Sequence, residues 1–562
     1  MNKKLFKYAG LTLCLFVIAG IILVSGCSRQ TVKDENTITV GISQMPIVTT
    51  YRPNHLTEYL EKMNGIKIDF TVLPFDRSES RTKISLMASA GDLPEVLIDC
   101  GLSSGWDMVY EWGQMGLLLP INKYFEDPEL MPNFHKIPPE ERVRMLSGLT
   151  LADGNIYGFP RFEPLTFNMT PYRMYINKVW LDQLGLQMPR TTDELLRVLV
   201  AFRENDPNGN GRRDEIGVWG TVPFAGYGED VIAAIINSFI YFNKWHLLSV
   251  DAEGKNVIAP FTQPVFRHAL RYLNTLYRNG VLDAGTFTAD TQTFRAVLNT
   301  NPPIVGLTSM GGIGHYPDAD NNPNFLQMAL MPPLSSPFSP GYTPFHAHVT
   351  FPYGFITHKA ENNIEKVIRF IDSFYDDTVS RIVMHGEENV DWTRDPAILE
   401  GLTNSYVERG VYPKITMAII NNIHEGPNNK FWGQMNPRYA PFEMGEAFAY
   451  LSKPYDPNRP SERIIVENLE HYHHRHPVYL FPENPAYDPE GARIAARTKV
   501  EVETYFRSSV AEFTVGVRDI NSDAAWNAYL REMNSVGLGE WLRVAQIAWD
   551  RGDKPRHDRP RQ

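Results

Sequence analysis

Cysteine is scarce in this sequence, with three among 562 residues. So few cysteines cannot form a disulfide scaffold, which excludes a small secreted fold held together by disulfides. Basic residues are also in deficit, 54 against 65 acidic residues, and the formal net charge is −11. This deficit argues against nucleic-acid binding, because phosphate recognition needs a basic surface.

The composition excludes a disordered chain and a single small core. Apolar residues make up 43% of the sequence, enough for packed cores. The length exceeds the ~250–300 residues at which one core stops growing, so two lobes or domains are expected. Aromatic residues are abundant, with 30 Phe, 26 Tyr and 10 Trp.

Only one stretch is long and apolar enough to enter a membrane, and it lies at the N-terminus. Three lysines precede an uncharged segment, residues 8–28, which is typical of a secretory signal. Its length is also near the ~20 residues that span a bilayer, so an uncleaved anchor is the alternative. Small residues directly before Cys27 resemble a bacterial lipobox. Residues 1–26 would then be a lipoprotein signal peptide, and Cys27 would carry acyl chains such as palmitate at the start of a tether, residues 27–37.

The following segments alternate between strand and helix patterns. Residues 37–42, 66–72 and 94–98 have strand patterns, with helical segments between them. This alternation predicts a parallel, doubly wound α/β sheet. Such sheets bind ligands beyond the carboxyl ends of their strands, so the loop 99–107 is a candidate binding edge. Residues 316–344, rich in Pro, Asn and Ser, are predicted to form an irregular connection.

One loop has the spacing of a calcium site. Oxygen-bearing side chains stand at its positions one, three, five and nine, and Gly211 at position six allows the sharp turn. Gly217 replaces the glutamate expected at position twelve, a role that Glu215 at position ten is expected to take. Hard oxygen donors suit Ca²⁺ and the loop lacks His and Cys, whereas the alternative is an Asn/Gly turn with solvated acids. The predicted ligands of a structural Ca²⁺ are Asp206, Asn208, Asn210, Arg212 (through its carbonyl), Asp214 and Glu215.

The lipobox and the calcium-type loop resemble those of family 1 extracellular solute-binding lipoproteins. The similarity is greatest to the LplA-type, alginate-binding-protein-like subgroup that binds oligosaccharides for ABC importers. Shorter phrases occur in that family's order at residues 91–96, 157–160, 175–181, 299–306 and 385–393. The resemblance implies a two-lobed, periplasmic-binding-protein-like α/β fold of type II, with the ligand cleft between the lobes. Each lobe would be a mostly parallel sheet flanked by helices.

The expected division of the chain follows from this fold. Lobe 1 is expected to comprise residues 38–165 and 300–352. Lobe 2 would comprise residues 166–299 and 353–550, including the calcium loop 206–215. The tail, residues 551–562, is polar and expected to be frayed.

The resemblance also implies a function and a location. The protein would be lipid-anchored on the extracytoplasmic face of a Gram-positive cell membrane. It would capture an oligosaccharide and deliver it to ABC permease subunits, without catalysis and without nucleic acid. We expect a monomer, because a tethered capture protein needs no partner subunit.

Three alternatives stay open at this point. The first is a surface sugar sensor or adhesion lipoprotein without transport. The second is a peptide or amino-acid ligand. The third is a polysaccharide-degrading enzyme, which is disfavoured because Glu387 and Glu388 are adjacent and point apart, whereas glycoside hydrolysis needs two carboxyls facing across one bond.

A sugar site needs flat aromatic faces for the apolar faces of the rings and polar side chains for the hydroxyls. Aromatic residues in loops are the candidates, because helix tryptophans such as Trp180 and Trp549 are expected in the core. Arg161 lies near a presumed lobe crossing and could clamp a carboxylate-bearing sugar. The predicted sugar-binding residues are Trp106, Tyr157, Arg161, Trp219, Tyr227, Trp245 and Trp392.

Several further residues are expected to be structural. Four histidines lie within residues 471–476 and could bind zinc or nickel, but they lack companion carboxylates or cysteines, so a solvated basic turn is expected. His346 and His348 are expected at a strand edge. Cys100 is expected to be a small buried apolar residue.

Overall fold

The computed structural model describes residues 36–147, 149–151, 153–224, 228–346, 350–482, 485–552 and 554. The predicted signal peptide and Cys27 lie outside these residues, as do Tyr227, His348 and most of the C-terminal tail. Within the described ranges, none of the helices combines the length and the apolar content that a bilayer crossing requires.

The strands are short, and most belong to two sheets. In chain order they are β1 (Thr37–Ser43), β2 (Lys67–Leu73), β3 (Val96–Ile98), β4 (Gly158–Phe162), β5 (Arg173–Asn177), β6 (Ile216–Trp219), β7 (Ser249–Val250), β8 (Val257–Ile258), β9 (Val305–Met310), β10 (Met328–Met331), β11 (Thr350–Ile356), β12 (Trp392–Thr393), β13 (Met417–Ile419), β14 (Arg438–Tyr439) and β15 (Phe448–Tyr450).

The helices surround these sheets. In chain order they are α1 (His55–Asn64), α2 (Arg77–Ala90), α3 (Trp106–Gln114), α4 (Asn122–Phe125), α5 (Pro132–Lys136), α6 (Pro139–Ser147), α7 (Thr166–Met169), α8 (Lys178–Gln183), α9 (Thr192–Glu204), α10 (Val231–Ile236), α11 (Pro264–Arg278), α12 (Thr291–Leu298), α13 (Ile364–Asp372), α14 (Asp377–His385), α15 (Pro396–Leu399), α16 (Ser405–Glu408), α17 (Phe442–Glu446), α18 (Pro460–His471), α19 (Pro489–Val515), α20 (Asp523–Ser535) and α21 (Leu538–Arg551).

The first lobe is built on a six-stranded sheet in the order β14-β4-β11-β3-β1-β2. β1 lies parallel to β2 and β3, and β14 lies parallel to β4, as the alternating pattern predicts. β11 is antiparallel to both of its neighbours. The chain enters β11 from the second lobe, so this strand starts at the edge where its neighbours β3 and β4 end.

The second lobe contains a four-stranded sheet in the order β10-β5-β9-β6. Here only β6 and β9 are parallel, because β5 runs opposite to β9 and β10. Three of the four strands, β6, β9 and β10, nevertheless run in the same direction, so the sheet is mostly parallel, as predicted, with β5 as the exception. β5 is the strand by which the chain enters from the first lobe, so it starts at the edge where the other three strands end.

The two sheets correct the predicted division of the chain. Residues 305–331 form β9 and β10 and pair within the second lobe, although residues 300–352 were expected in lobe 1. Residues 350–356 and 438–439 pair within the first lobe, and α13 packs there against α1, although residues 353–550 were expected in lobe 2. The pairing joins strands far apart in sequence, and local patterns carry no information about such partners.

Each lobe has its own apolar core. Ile38, Val40 and Val367 lie in the core of the first lobe. Leu270 of α11 and Phe506 of α19 lie in the largest core of the second lobe, which the three C-terminal helices complete. Cys100 and the four helix tryptophans Trp180, Trp526, Trp541 and Trp549 are buried, as predicted.

Local sequence signals fix several element ends. Gly91 ends α2 in a left-handed conformation, which glycine adopts without a steric penalty. Thr191 and Glu194 form the predicted capping box at the start of α9. The segment 316–344, expected to be irregular, contains the four-residue strand β10, which is too short for its alternation to be recognised among turn residues.

Candidate binding site at the lobe junction

In the described part of the chain, segments that run between the lobes lie at residues 163–172, 332–346 and 451–459. The first two crossings lie side by side, because the backbone N–H of His346 donates to the carbonyl oxygen of Met169 at 2.9 Å. Residues around the third crossing hold the first one: Glu446 of α17 accepts a hydrogen bond from the backbone N–H of Thr166. The ends of β4 and β9 and the starts of β5 and β11 therefore meet at this junction.

One side of the first sheet presents charged and aromatic residues at the junction. We call Arg161, Glu163, Phe351, Tyr353 and Arg438 the arginine face. Arg161 lies between Phe351 and Arg438 in the register of the three strands. Its guanidinium donates to Glu163 Oε2 from Nε at 2.9 Å and lies 5.7 Å from the centroid of the Tyr353 ring.

The opposite side of the same strands packs into the protein. Phe162, the neighbour of Arg161 on that side, lies in the core of the first lobe, whereas Phe351 and Tyr353 belong to none of the apolar clusters formed by the described residues. Phe351 is 38% exposed. At this end of the strands Phe351 and part of the Arg161 side chain are therefore accessible at the junction, whereas Tyr353, Glu163 and Arg438 are buried.

Glu163 is shared by two guanidiniums. Arg161 and Arg438 both donate to its Oε2 atom. Burial alone would raise the pKa of Glu163, but the attraction of the two arginines outweighs burial and lowers it to about 2. Burial and the charge of Arg161 lower the pKa of Arg438 to about 10, despite Glu163.

This coupling predicts a pH dependence of stability. A carboxyl whose pKa is lowered by folding stabilises the protein above its unfolded pKa, and this contribution is lost as pH falls toward the folded value of about 2. We expect the wild type to have a higher unfolding free energy than Glu163→Gln. This difference should be largest at pH 6 and smaller at pH 3, as measured by urea unfolding. Glu470→Gln is the control, because Glu470 is exposed and pairs with Arg409 on the surface. A difference independent of pH would contradict the assignment.

The second lobe contributes an aromatic group beside the crossings. The ring of Trp245 lies 3.8 Å from the ring of His346 and 5.5 Å from that of Tyr172, measured between centroids. Lys244 Nζ lies 5.1 Å from the Trp245 ring. Burial lowers the pKa of Lys244, and Asp230 only partly opposes this. Trp245 is half-buried and packs against the core of the second lobe.

The predicted binding edge after β3 adjoins the arginine face. The backbone N–H of Asp99 donates to the carbonyl oxygen of Tyr353 at 2.7 Å. Asp99 and Cys100 have φ values of 58° and 50°, a strained conformation for residues other than glycine and one that is concentrated at functional sites. Trp106 begins α3 just beyond them and is half-buried against the core of the first lobe.

The predicted calcium loop is closed by hydrogen bonds among its own side chains. The backbone N–H of Asn210 donates to Asp206 Oδ1 at 3.1 Å, and that of Gly211 donates to Asp206 Oδ2 at 2.8 Å. The amide of Asn210 donates to Asp214 Oδ1 at 3.0 Å. The carboxylate of Glu215 is buried, and neither of its oxygens has a hydrogen-bond partner.

The chemistry of this donor set fits a hard cation. Burial raises the pKa of Glu215, and the charges of Asp206 and Asp214 add to this effect. No three His, Cys, Asp or Glu side chains in the described parts of the chain are placed to hold a metal ion by themselves. A cation here would therefore also need the amide oxygens of Asn208 and Asn210 and the carbonyl of Arg212.

Three predicted sugar-binding residues are wrong, because their rings are buried. Tyr157 is 3% exposed, and its hydroxyl donates to Asp153 Oδ2 at 2.6 Å. Trp219 packs in the second lobe, where its Nε1 donates to the carbonyl oxygen of Phe294 at 3.3 Å. Trp392 is 0% exposed, and its Nε1 donates to the carbonyl oxygen of Gly386 at 2.7 Å. In all three cases the ring is packed inside the protein. Its hydroxyl or ring N–H group donates a hydrogen bond to a polar partner there. Tyr227 lies outside the described residues, so its role in sugar binding stays a prediction.

The histidine cluster is not a solvated turn. The ring of His476 is buried and stacks on Phe345 with 4.0 Å between centroids. Burial, together with the charges of His474 and His476, lowers the pKa of His473 to about 4. These side chains pack against the second crossing, which their local sequence could not indicate.

Sequence reasoning missed Phe351, Tyr353 and Arg438. The first two stand two residues apart in β11, but the register with β4 shifts between Pro352 and Gly354, so regular alternation is interrupted at Tyr353. Arg438 had no local signal, because its role depends on β14 pairing with β4, far away in sequence.

The two sheets and the crossings between them define a two-lobed α/β fold of the periplasmic-binding type. Residues 46–294 match the family model of the bacterial extracellular solute-binding proteins. Over this segment the chain is similar to that family, in agreement with the resemblance of its motifs.

Characterised relatives agree with this assignment. The fructooligosaccharide ABC transporter substrate-binding protein FusA of Streptococcus pneumoniae serotype 4 is 33% identical over 252 residues, which are 43% of this chain and 44% of FusA. The polygalacturonan/rhamnogalacturonan-binding protein YtcQ of Bacillus subtilis is 25% identical over 248 residues, 43% of this chain and 45% of YtcQ. These alignments span less than half the length of either relative. Both relatives are named as binding proteins rather than enzymes.

The solved structures extend the similarity in fold to nearly the whole chain. The structure of S. pneumoniae FusA in complex with kestose has a TM-score of 0.70 at 23% identity, and the match covers 92% of this chain and 99% of that chain. The predicted two-lobed α/β fold is thereby confirmed.

Proposed function

We propose that this protein captures an oligosaccharide between its lobes and delivers it to an ABC importer. The observation behind the proposal is that ring faces and ionic side chains meet at the lobe crossings: Trp245 on the second lobe, and Phe351 with Arg161 on the first. Sugars need this combination, because their C–H faces pack on aromatic rings and their hydroxyls bind charged or polar groups. The names of FusA and YtcQ support an oligosaccharide as the ligand.

The proposed mechanism is capture by lobe closure. A ligand that contacts both lobes stabilises the closed arrangement, because only there can it make both sets of contacts. The crossings act as the hinge, and the protein performs no chemistry on the sugar. A monomer tethered through a lipid on Cys27 to the extracytoplasmic face of the membrane would remain close to the permease subunits.

We also propose that the loop 206–215 holds a structural Ca²⁺. The buried, unpartnered carboxylate of Glu215 is the main support, because a cation would satisfy the charge that burial otherwise makes unfavourable. Asp206, Asn208, Asn210, Asp214 and the carbonyl of Arg212 would supply the other oxygens. The loop directly follows α9, so its role would be to fix the end of that helix.

Trp245→Ala tests the binding role directly. We expect affinity for the oligosaccharide to fall about 10-fold or more, because a stacked ring contributes on the order of 1–1.5 kcal/mol beyond the burial of area. Isothermal titration with a panel of neutral and uronic oligosaccharides would measure it. Trp245→Phe is the matched control and should retain much of the affinity, since it keeps an aromatic face.

Three outcomes would count against the proposal or a part of it. If the well-folded mature chain bound no oligosaccharide, sugar capture would be wrong. If sugar bound but uptake by the source bacterium did not depend on the gene, a sensor or adhesion role would replace transport. Trp245→Ala with unchanged affinity would move the binding surface away from this side of the junction.

A further inference from the structure

The arginine face carries more positive than negative charge in a largely buried position. Arg161 and Arg438 share a single carboxylate, Glu163, and both bind the same oxygen of it. Glu163 is the one carboxylate among the main influences on the pKa of either arginine in the part of the chain described. Burial lowers the pKa of the neighbouring His385 to about 3, so that histidine adds no charge at neutral pH. The face therefore keeps one net positive charge.

The hydrogen bonding of this face is also incomplete. Arg438 is fully buried, and its Nε atom has no acceptor. Glu163 is already shared between two guanidiniums, so it cannot satisfy every donor. A buried charge without full compensation is unfavourable, and such arrangements persist where a ligand completes them.

The position of Phe351 restricts which anion fits. Phe351 and Arg161 are direct partners on neighbouring antiparallel strands, so their side chains leave the same side of the sheet close together. The Phe351 ring is accessible, and the Arg161 side chain is 20% exposed. A pyranose ring packed on Phe351 would place a carboxylate attached to that ring beside the guanidinium of Arg161.

We propose that the ligand is an acidic oligosaccharide, and that Arg161 binds the carboxylate of a uronate residue whose ring packs on Phe351. This proposal rests on the oligosaccharide capture proposed above and names its substrate class. The net charge of −11 repels anions at long range, so selectivity for an acidic sugar must come from this local face. Charge-assisted bonds to a guanidinium supply such selectivity, because they are stronger than neutral hydrogen bonds.

The test compares acidic oligosaccharides with the same sugars after methyl esterification, which removes the charge and keeps the shape. Isothermal titration would use short oligomers of galacturonate, mannuronate and glucuronate, with neutral oligomers of the same length. We expect one acidic series to bind the wild type at least 10-fold more tightly than its ester. That binding should weaken from 50 to 500 mM NaCl.

Variants then assign the effect to the arginine face. Arg161→Gln should weaken binding of the acidic sugar about 10–100-fold and binding of the ester less than about 3-fold, as expected for the loss of a charged hydrogen bond. Arg161→Lys should restore part of the affinity. Arg394→Gln is the matched control, since Arg394 is a surface arginine paired with Glu388 and Asp377. It should leave both affinities unchanged.

The possible failures are distinguishable. If neutral oligosaccharides or esters bound as tightly as the acidic forms, the acidic class would be wrong while oligosaccharide capture stood. An equal loss for acid and ester in Arg161→Gln would make Arg161 structural and overturn its role. Binding of no sugar at all would overturn both proposals. If Arg161→Gln failed to fold, Phe351→Ala and the comparison of acid with ester on the wild type would still decide.

Discussion

Trp392→Ala is expected to lower the free energy of unfolding by about 3–5 kcal/mol, the range measured for truncating large buried aromatic side chains. The indole is fully buried between Met417 and Ile419 in the small sheet of β12, β13 and β15. Its Nε1 donates to the carbonyl oxygen of Gly386, which would lose that partner. The affinity of the folded variant for its oligosaccharide should stay unchanged, because the ring is inaccessible.

Trp392→Phe separates the two parts of this effect. Phenylalanine fills most of the volume but lacks the donor, so we expect a loss between that of alanine and zero. Urea unfolding and titration with oligosaccharide below the melting temperature would measure stability and affinity on the same samples. A Trp392→Ala protein as stable as the wild type but without sugar affinity would show that the sequence-based assignment of Trp392 to the binding site was right.

Calcium is expected to raise the free energy of unfolding by an amount comparable to the loss in Trp392→Ala. The response of a Glu215 variant should show whether Glu215 is one of its ligands. An ion bound only to the folded state at 1,000 times its Kd stabilises that state by about 4 kcal/mol. The wild type should therefore lose several degrees of melting temperature in chelator. Glu215→Gln should be less stable than the wild type in calcium. In chelator it should be as stable as the wild type or more so, because it removes a buried charge that has no partner.

Asp251→Asn is the matched control for the expected change in the stability order of Glu215→Gln and the wild type between calcium and chelator. Asp251 also closes a turn by accepting from a backbone N–H, that of Lys255, but it lies outside the loop. Its calcium response should equal that of the wild type when melting is followed by circular dichroism. If the melting temperature of the wild type did not change in chelator, the protein would not bind calcium. If Glu215→Gln kept the full calcium response, the ion would bind elsewhere.

Local sequence was a reliable guide wherever a structural feature depends on neighbours along the chain. The first strands, the capping box of Thr191 and Glu194, and the helix end at Gly91 all follow from residues a few positions apart. The family phrases gave the two-lobed fold. The buried Cys100 and the helix tryptophans followed from composition and periodicity.

Local sequence failed where partners are distant. β9, β10 and the part of β11 from residue 353 onward were assigned to the wrong lobes, because strand pairing joins residues more than a hundred positions apart. Trp219 and Trp392 look like loop aromatics available to a ligand, yet tertiary packing buries them. The histidines of residues 471–476 look like a solvated turn, yet His476 packs on Phe345.

The sequence by itself therefore determined the class of fold, the spacing of the calcium-type loop and the similarity to the solute-binding proteins. It also named Arg161 and Trp245, two residues that the structure places at the lobe junction. Only the tertiary structure decided that Arg161 shares Glu163 with Arg438 and lies beside Phe351. The reason is physical: charge balance and ring accessibility at the junction depend on which distant strands pair, and strand pairing is set by the packing of the whole lobe.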